Sequence, residues 1–186
     1  MKQTLSIVLL ISLFMFSCQK ENKDFIIAKK QVGKITDSTK IKELKTIFAQ
    51  DSIAKDTEGQ GAFEAYDEYT VYDKKTHKPL LVIIPQKTGD DESLVKQVEI
   101  LDGKFKSDKG ISFNSKFGEI KKAHKIGKVD ESFKYLVIYL DDLNATIDIK
   151  KNVLPLDAQN NPGLKIDETM IPDDAKIKHF IVFFND

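Results

Sequence analysis

Residues 35–45 read Ile35-Thr36-Asp37-Ser38-Thr39-Lys40-Ile41-Lys42-Glu43-Leu44-Lys45, and residues 111–121 read Ile111-Ser112-Phe113-Asn114-Ser115-Lys116-Phe117-Gly118-Glu119-Ile120-Lys121. Laid over each other at a shift of 76, four of the eleven positions are identical and five more are chemically close. Each stretch places a hydroxyl or amide where a helix opens, Ser38 or Thr39 in the first and Asn114 or Ser115 in the second. Ile41, Leu44, Ile47 and Phe48 then share one helical face, as do Phe117, Ile120 and Ala123. Helices this short are unstable alone and must pack on a sheet.

Strands are expected after each helix in the same order. Residues 66–73, 79–84 and 95–105 follow the first, and 133–141, 145–150 and 176–184 follow the second. The closing strands also match, Val95-Lys96-Gln97-Val98-Glu99-Ile100-Leu101 lying over Ile177-Lys178-His179-Phe180-Ile181-Val182-Phe183. Polar or Pro/Gly-bearing loops at 56–61, 87–93 and 152–174 punctuate the pattern. The expected fold is α+β and two-layered, made of duplicated helix-plus-three-strand antiparallel units, with repeat 1 at 31–106 and repeat 2 at 107–186.

Ahead of the first unit, Lys2 supplies a positive charge and residues 5–16 are almost unbroken apolar sequence. Twelve helical residues span about 18 Å, short of the roughly 30 Å hydrocarbon core, so the run reads as a signal segment rather than a membrane span. It closes on Met15-Phe16-Ser17-Cys18, with Cys18 the single cysteine of the chain. This resembles the lipobox of bacterial lipoprotein signal peptides, although smaller or aliphatic residues are commoner at the positions of Met15 and Phe16. The resemblance implies a signal peptide at 1–17, acylation of Cys18 with diacylglyceryl and palmitate-type chains, and a lipidated tether at 18–30. One acyl chain binds a bilayer marginally, whereas several chains hold firmly. Gln19-Lys20-Glu21-Asn22 lacks the aspartate that retains many Gram-negative lipoproteins at the inner membrane, so the outer membrane is the expected address. The same four residues resemble the lysine-plus-acidic tag of surface lipoproteins in Bacteroidota, with Asn22 in place of the second acid. The periplasmic and cell-surface sides both stay open.

Removing residues 1–17 leaves 28 lysines against 29 acidic residues, a formal net charge of −1, with no arginine. That near-neutrality argues against a nucleic-acid partner, whose electrostatic footprint demands a strong basic excess. With Cys18 acylated no intramolecular disulfide can form, and the fold must stand on its core. The repeat order and the two helix openings resemble a group of small envelope lipoproteins and secreted inhibitors built from tandem helix-plus-sheet repeats. Outer-membrane assembly lipoproteins and β-lactamase inhibitor proteins belong to that group. The resemblance implies action by binding another envelope protein, not by catalysis. The inhibitors staple their repeats with disulfides, which this chain cannot do.

No catalytic residue is assigned and no cofactor is expected, because H-E-x-x-H, G-x-S-x-G, P-loop and G-x-G-x-x-G patterns are all absent. His77 reads as a turn residue, His124 aligns with Phe48 as a partly buried packing position, and His179 aligns with Gln97 as a polar strand position. The acidic doublets at 90–91, 141–142 and 173–174 read as solvated charge. A weak calcium-loop pattern places Asp157, Gln159, Asn161 and Glu168 at relative positions 1, 3, 5 and 12, but Pro162 stands where such loops need glycine. Residues 133–140 are apolar on both strand faces, so Phe133, Tyr135 and Tyr139 form the candidate partner-binding face. The competing reading is that the loop 152–174 or the tether covers that face. The sequence therefore reads as a lipid-anchored binding or scaffold module. The alternative is an envelope hydrolase whose site assembles only in three dimensions.

Overall fold

The structure, a computed structural model, describes residues 23–58, 65–159, 161 and 163–185. In chain order the strands are β1 (Ile26–Ala28), β2 (Gln31–Val32), β3 (Ile35–Thr36), β4 (Ser52–Glu58), β5 (Tyr66–Tyr72) and β6 (Pro79–Pro85). They continue as β7 (Val95–Ile100), β8 (Lys106–Ser107), β9 (Ile126–Glu131), β10 (Tyr135–Leu140), β11 (Ala145–Lys150) and β12 (Ile177–Phe183). The α-helices are α1 (Leu44–Ile47), α2 (Phe117–Ala123) and α3 (Leu156–Gln159).

Both helix openings are held in the same way. The amides of Ile41 and Phe117 donate to the carbonyls of Ser93 and Ala175, each at 3.0 Å. Those of Lys42 and Gly118 donate to Asp91 and Asp173 at 2.9 and 2.8 Å. Glu43 accepts the Lys40 amide at 2.8 Å, and Glu119 accepts the Lys116 amide at 2.7 Å. Loop carbonyls and a reaching carboxylate thus satisfy the donors that a capping hydroxyl would otherwise serve. The caps accordingly fall on Lys40 and Lys116, one residue past the later of the two expected positions in each opening. Thr39 and Ser115 instead turn back, accepting the amides of Thr36 and Ser112 at 2.9 and 3.2 Å.

One eight-stranded sheet carries the fold, in the order β4-β5-β6-β7-β12-β11-β10-β9, with all neighbours antiparallel. Each helix is therefore followed by four strands of this sheet, not three. The two unforeseen strands, β4 and β9, lie at the edges, where only one neighbour has to be matched. Their apolar inward positions reduce to Ile53 in β4 and to Ile126 and Val129 in β9, each only partly buried. A two-residue alternation so diluted by charge is hard to read, and the same charge discourages further strand pairing.

Along the inner strands burial alternates cleanly, as in β10, where Leu136, Ile138 and Leu140 are fully buried and Tyr135, Val137 and Tyr139 are half-buried. The buried side joins one core with Leu44, Phe117 and Ile120 of the helical segments and with Leu154, Ile166 and Ile171 of the long connection after β11. A second, four-stranded sheet, β3-β2-β1-β8, adds Ile27, Val32 and Ile35 to that core. All these segments cover one face of the large sheet, and no segment among the described residues packs over the middle of the other, open face, where only Thr70 and Thr146 are buried within the row from Thr70 to Tyr139. Two layers result. Residues 23–30, expected in the tether, belong largely to the small sheet, with Ile27 fully buried between Val32 and Ser107.

In α2 the backbone passes so close to the loop before β12 that a Cβ on Gly118 would meet the Asp173 side chain at 2.7 Å and its carbonyl oxygen at 3.1 Å. Gly-to-Ala changes inside helices usually stabilise by about 1 kcal/mol. Gly118→Ala should do the reverse, lowering stability by roughly 1 kcal/mol or more through overpacking. Urea unfolding of the two proteins measures this.

Candidate functional site

The open face is assembled from residues far apart in the chain. Direct cross-strand pairs run Thr70–Val82–Glu99–Ile181–Thr146–Tyr139, crossing from β5 to β10. A neighbouring row runs Ile84–Gln97–Phe183, and on the other side His179 pairs with Asp148, which pairs with Val137. Val82, Ile84, Val137, Ile181 and Phe183 are all half-exposed. Together they form an apolar field around a polar centre.

That centre is His179. Its Nδ1 lies 2.6 Å from Glu99 Oε1, across the pairing of β7 with β12. The Tyr135 ring meets its imidazole edge-on, with centroids 5.3 Å apart. Asp148 stands directly beside it on β11. Burial pushes the Asp148 carboxyl above its ordinary 3.8; the histidine opposes this and Glu99 adds to it. Two carboxylates and one imidazole at this place can receive a cationic side chain. Among the described residues no group of three or more His, Cys, Asp or Glu has the geometry to hold a metal ion.

The sequence-predicted residues separate in space. Cys18 lies outside the described residues. Phe133 leaves the strand altogether: it occupies the β9–β10 turn and is 93% exposed. Tyr135 and Tyr139 do sit on the open face, but each is partly covered by a neighbour. Lys128 Nζ lies 4.2 Å from the Tyr139 ring centroid, and Tyr135 is packed on His179. The long connection does not cover this face, because its buried residues Leu154, Ile166 and Ile171 go to the core.

The weak calcium pattern also disperses. Asp157 and Gln159 fall within one turn of α3, where residues two apart point about 200° from each other. The Gln159 side chain donates to the Leu154 carbonyl at 2.6 Å, and Asn161 closes a local turn on the Gly163 amide at 3.2 Å. Glu168 begins a separate 3-10 turn. These side chains do not converge.

A Ser–His–Asp relay does assemble, unforeseen in the sequence. Ser107 Oγ lies 2.8 Å from His124 Nε2, and His124 Nδ1 lies 2.9 Å from Asp142 Oδ2. The atom order is that of a hydrolase triad. Its orientation is not. Ser107 pairs in parallel with Ile27, so both side chains point to the same face, and Ile27 is fully buried. The nearby hollow is lined by Phe25, Ile26, Lys104, Lys106 and Ser107, but Ile26 and Lys106 pair on the opposite face of the small sheet from Ile27 and Ser107, and Ser107 is buried. Ser107 Oγ also accepts the Ile111 amide at 3.2 Å, and His124 is 3% exposed. The relay is a clamp joining β8, the end of α2 and the β10–β11 turn. Burial would raise the Asp142 carboxyl, but hydrogen bonds from His124 and Lys109 outweigh it and hold the group below 3.8.

Ser107→Ala leaves the His124 nitrogen and the Ile111 amide without their partner and should cost about 1–3 kcal/mol in denaturant unfolding. Asp148 has the opposite signature. A carboxyl raised on folding adds no cost below its unfolded value and weakens the fold increasingly as pH climbs through its folded value. Asp148→Asn should therefore raise the melting temperature at pH 7 and leave it within about a degree near pH 3. Scans at both pH values check the sign.

No family model matches the chain, and no curated protein matches it in sequence. Among solved structures it is similar to the crystal structure of the uncharacterized protein YfeY from Escherichia coli. The match has a TM-score of 0.52 and 14% identity, and it covers 86% of this chain and 99% of that one. At that identity the likeness concerns the fold alone.

Proposed function

We propose that this chain is a lipid-anchored protein of the outer membrane, on its periplasmic or cell-surface side. It binds another envelope protein through the open face of the large sheet and performs no catalysis. The observation that carries this reading is the open face itself: half-exposed Val82, Ile84, Val137, Ile181 and Phe183 surround the His179–Glu99–Asp148 centre. An apolar field with a polar core of specific geometry suits protein recognition, the apolar area giving affinity and the charges giving register. The tyrosines contribute as flanks, not as the anchor.

Within the same proposal the chain consists of two duplicated units joined at β7 and β12. The matched bonding of the two helix openings supports this. So do the isolated bridges Lys40–Leu94 and Lys116–Lys176, which stand at corresponding places. The closing strands also pair with Glu99 opposite Ile181, its counterpart in the alignment of those strands. The Ser17-Cys18 junction supports the anchor.

In the full-length protein in its native membrane, a photo-cross-linking residue at Val137 or Ile181 should capture the same partner, and one at Lys106 on the small sheet should not. Ile181→Ala should weaken that association roughly fivefold or more. Cys18→Ala should abolish acyl labelling and release the protein from the membrane fraction. Capture at Lys106 alone would overturn the assignment of the face, and unchanged fractionation of Cys18→Ala would overturn the anchor.

A further inference from the structure

Phe133 and Leu156 are exposed by 93% and 74%, more than any other large apolar side chain among the described residues. Both stand at one edge of the large sheet. Phe133 is at the tip of the β9–β10 turn, and Leu156 opens α3 in the connection that leaves the end of β11. The Lys151 amide donates to the Lys134 carbonyl at 2.9 Å, tying the turn to that connection. Beside Phe133 runs a groove of about 780 Å³ lined by Phe133, Lys134, Tyr135, Lys150, Lys151 and by Gln159 of the helix that Leu156 opens, with no acidic residue in its walls. Lys151 is bridged to Glu131 just outside it.

The first described residues, around Asp24 and Phe25, lie on the same strand-end side of the sheet. Strand direction alternates across the sheet, so the β5–β6 turn and the β9–β10 turn fall on one side. Lys104 sits 4.8 Å from the Phe25 ring centroid and 3.9 Å from Asp73 at the start of the β5–β6 turn. Asp24 is six residue steps along the chain from Cys18. Fully extended they reach about 20 Å, which bounds how far that edge can stand from a lipid on Cys18.

We infer that the Phe133–Leu156 edge docks on an anionic lipid bilayer, with Phe133 and Leu156 entering the interface and Lys134 and Lys150 meeting lipid phosphates. An apolar tip flanked by lysine, as Phe133 is by Lys134, combines the two forces that hold proteins at membrane surfaces. The edge orientation rests on the proposed lipid anchor; the lipid affinity of the edge does not. Docking there would hold the large sheet upright on the membrane and leave its open face free to meet a partner.

The test uses the non-acylated mature chain, residues 19–186, in co-sedimentation with vesicles of equimolar phosphatidylglycerol and phosphatidylethanolamine, against phosphatidylcholine alone. Binding to the anionic vesicles should exceed binding to phosphatidylcholine and weaken with added salt. It should fall roughly tenfold in Phe133→Ala with melting unchanged, and should fall in Lys134→Glu/Lys150→Glu while persisting in Ile181→Ala. Equal binding to both vesicle types, or full binding by Phe133→Ala, overturns the inference. Loss of a protein cross-link in Phe133→Ala with vesicle binding intact would assign the edge to a protein partner and overturn it equally. Since the chain carries no acyl group, failure here leaves the Cys18 reading untouched, and release on Cys18→Ala leaves this one untouched.

Discussion

The large sheet depends on a single ladder, β7 against β12, where Gln97, Val98 and Glu99 pair with Phe183, Val182 and Ile181. Without it the large sheet would fall into two four-stranded halves, each with an apolar strand at an unpaired edge. The ladder works on both faces. Inward, Val98, Ile100, Phe180 and Val182 are fully buried and form the middle of the core. Outward, the same strands bring Glu99 to His179 and set Ile181 and Phe183 into the apolar field. Core continuity and the candidate binding centre thus share one pairing, and a register slip of one residue would exchange their side chains.

This coupling explains what could be read from the chain alone. The helix openings were legible because Lys40–Glu43 and Lys116–Glu119 repeat a short local pattern in which the carboxylate reaches back to the opening amide, although the carbonyls that complete each opening come from distant loops. The inner strands were legible because runs such as 80–84 and 135–140 carry dense β-branched and aromatic residues. The edge strands β4 and β9 were not, since an edge needs only one or two inward apolar residues. The small sheet was hidden too, its strands being two or three residues long and its β1–β8 pairing spanning some 80 positions of chain.

The candidate centre was illegible for a further reason. His179, Glu99 and Asp148 stand on three strands whose adjacency follows only from the order of the whole sheet. His124 differed in kind: its alignment with Phe48 correctly suggested burial, but Ser107 and Asp142 become its partners only when the small sheet folds over the end of α2. Phe133 shows the converse error. Period-two reading extended a strand through a turn, because an exposed aromatic at a tip and an inward aromatic on a strand look alike in sequence.

Strand order also constrains when this sheet can form. β12 is synthesised after every other strand, yet it lies between β7 and β11 in the middle of the sheet. While the chain is still emerging, β4 to β7 can pair as a meander, and β9 to β11 as another, but each ends in an apolar strand awaiting the same missing neighbour. Closure is therefore a late, long-range event, which is intrinsically slow and exposes open edges beforehand. A chain halted before residue 177 would carry two adhesive edges and no means of covering them. Until the final strand arrives, the two half-sheets stay separate and unfinished.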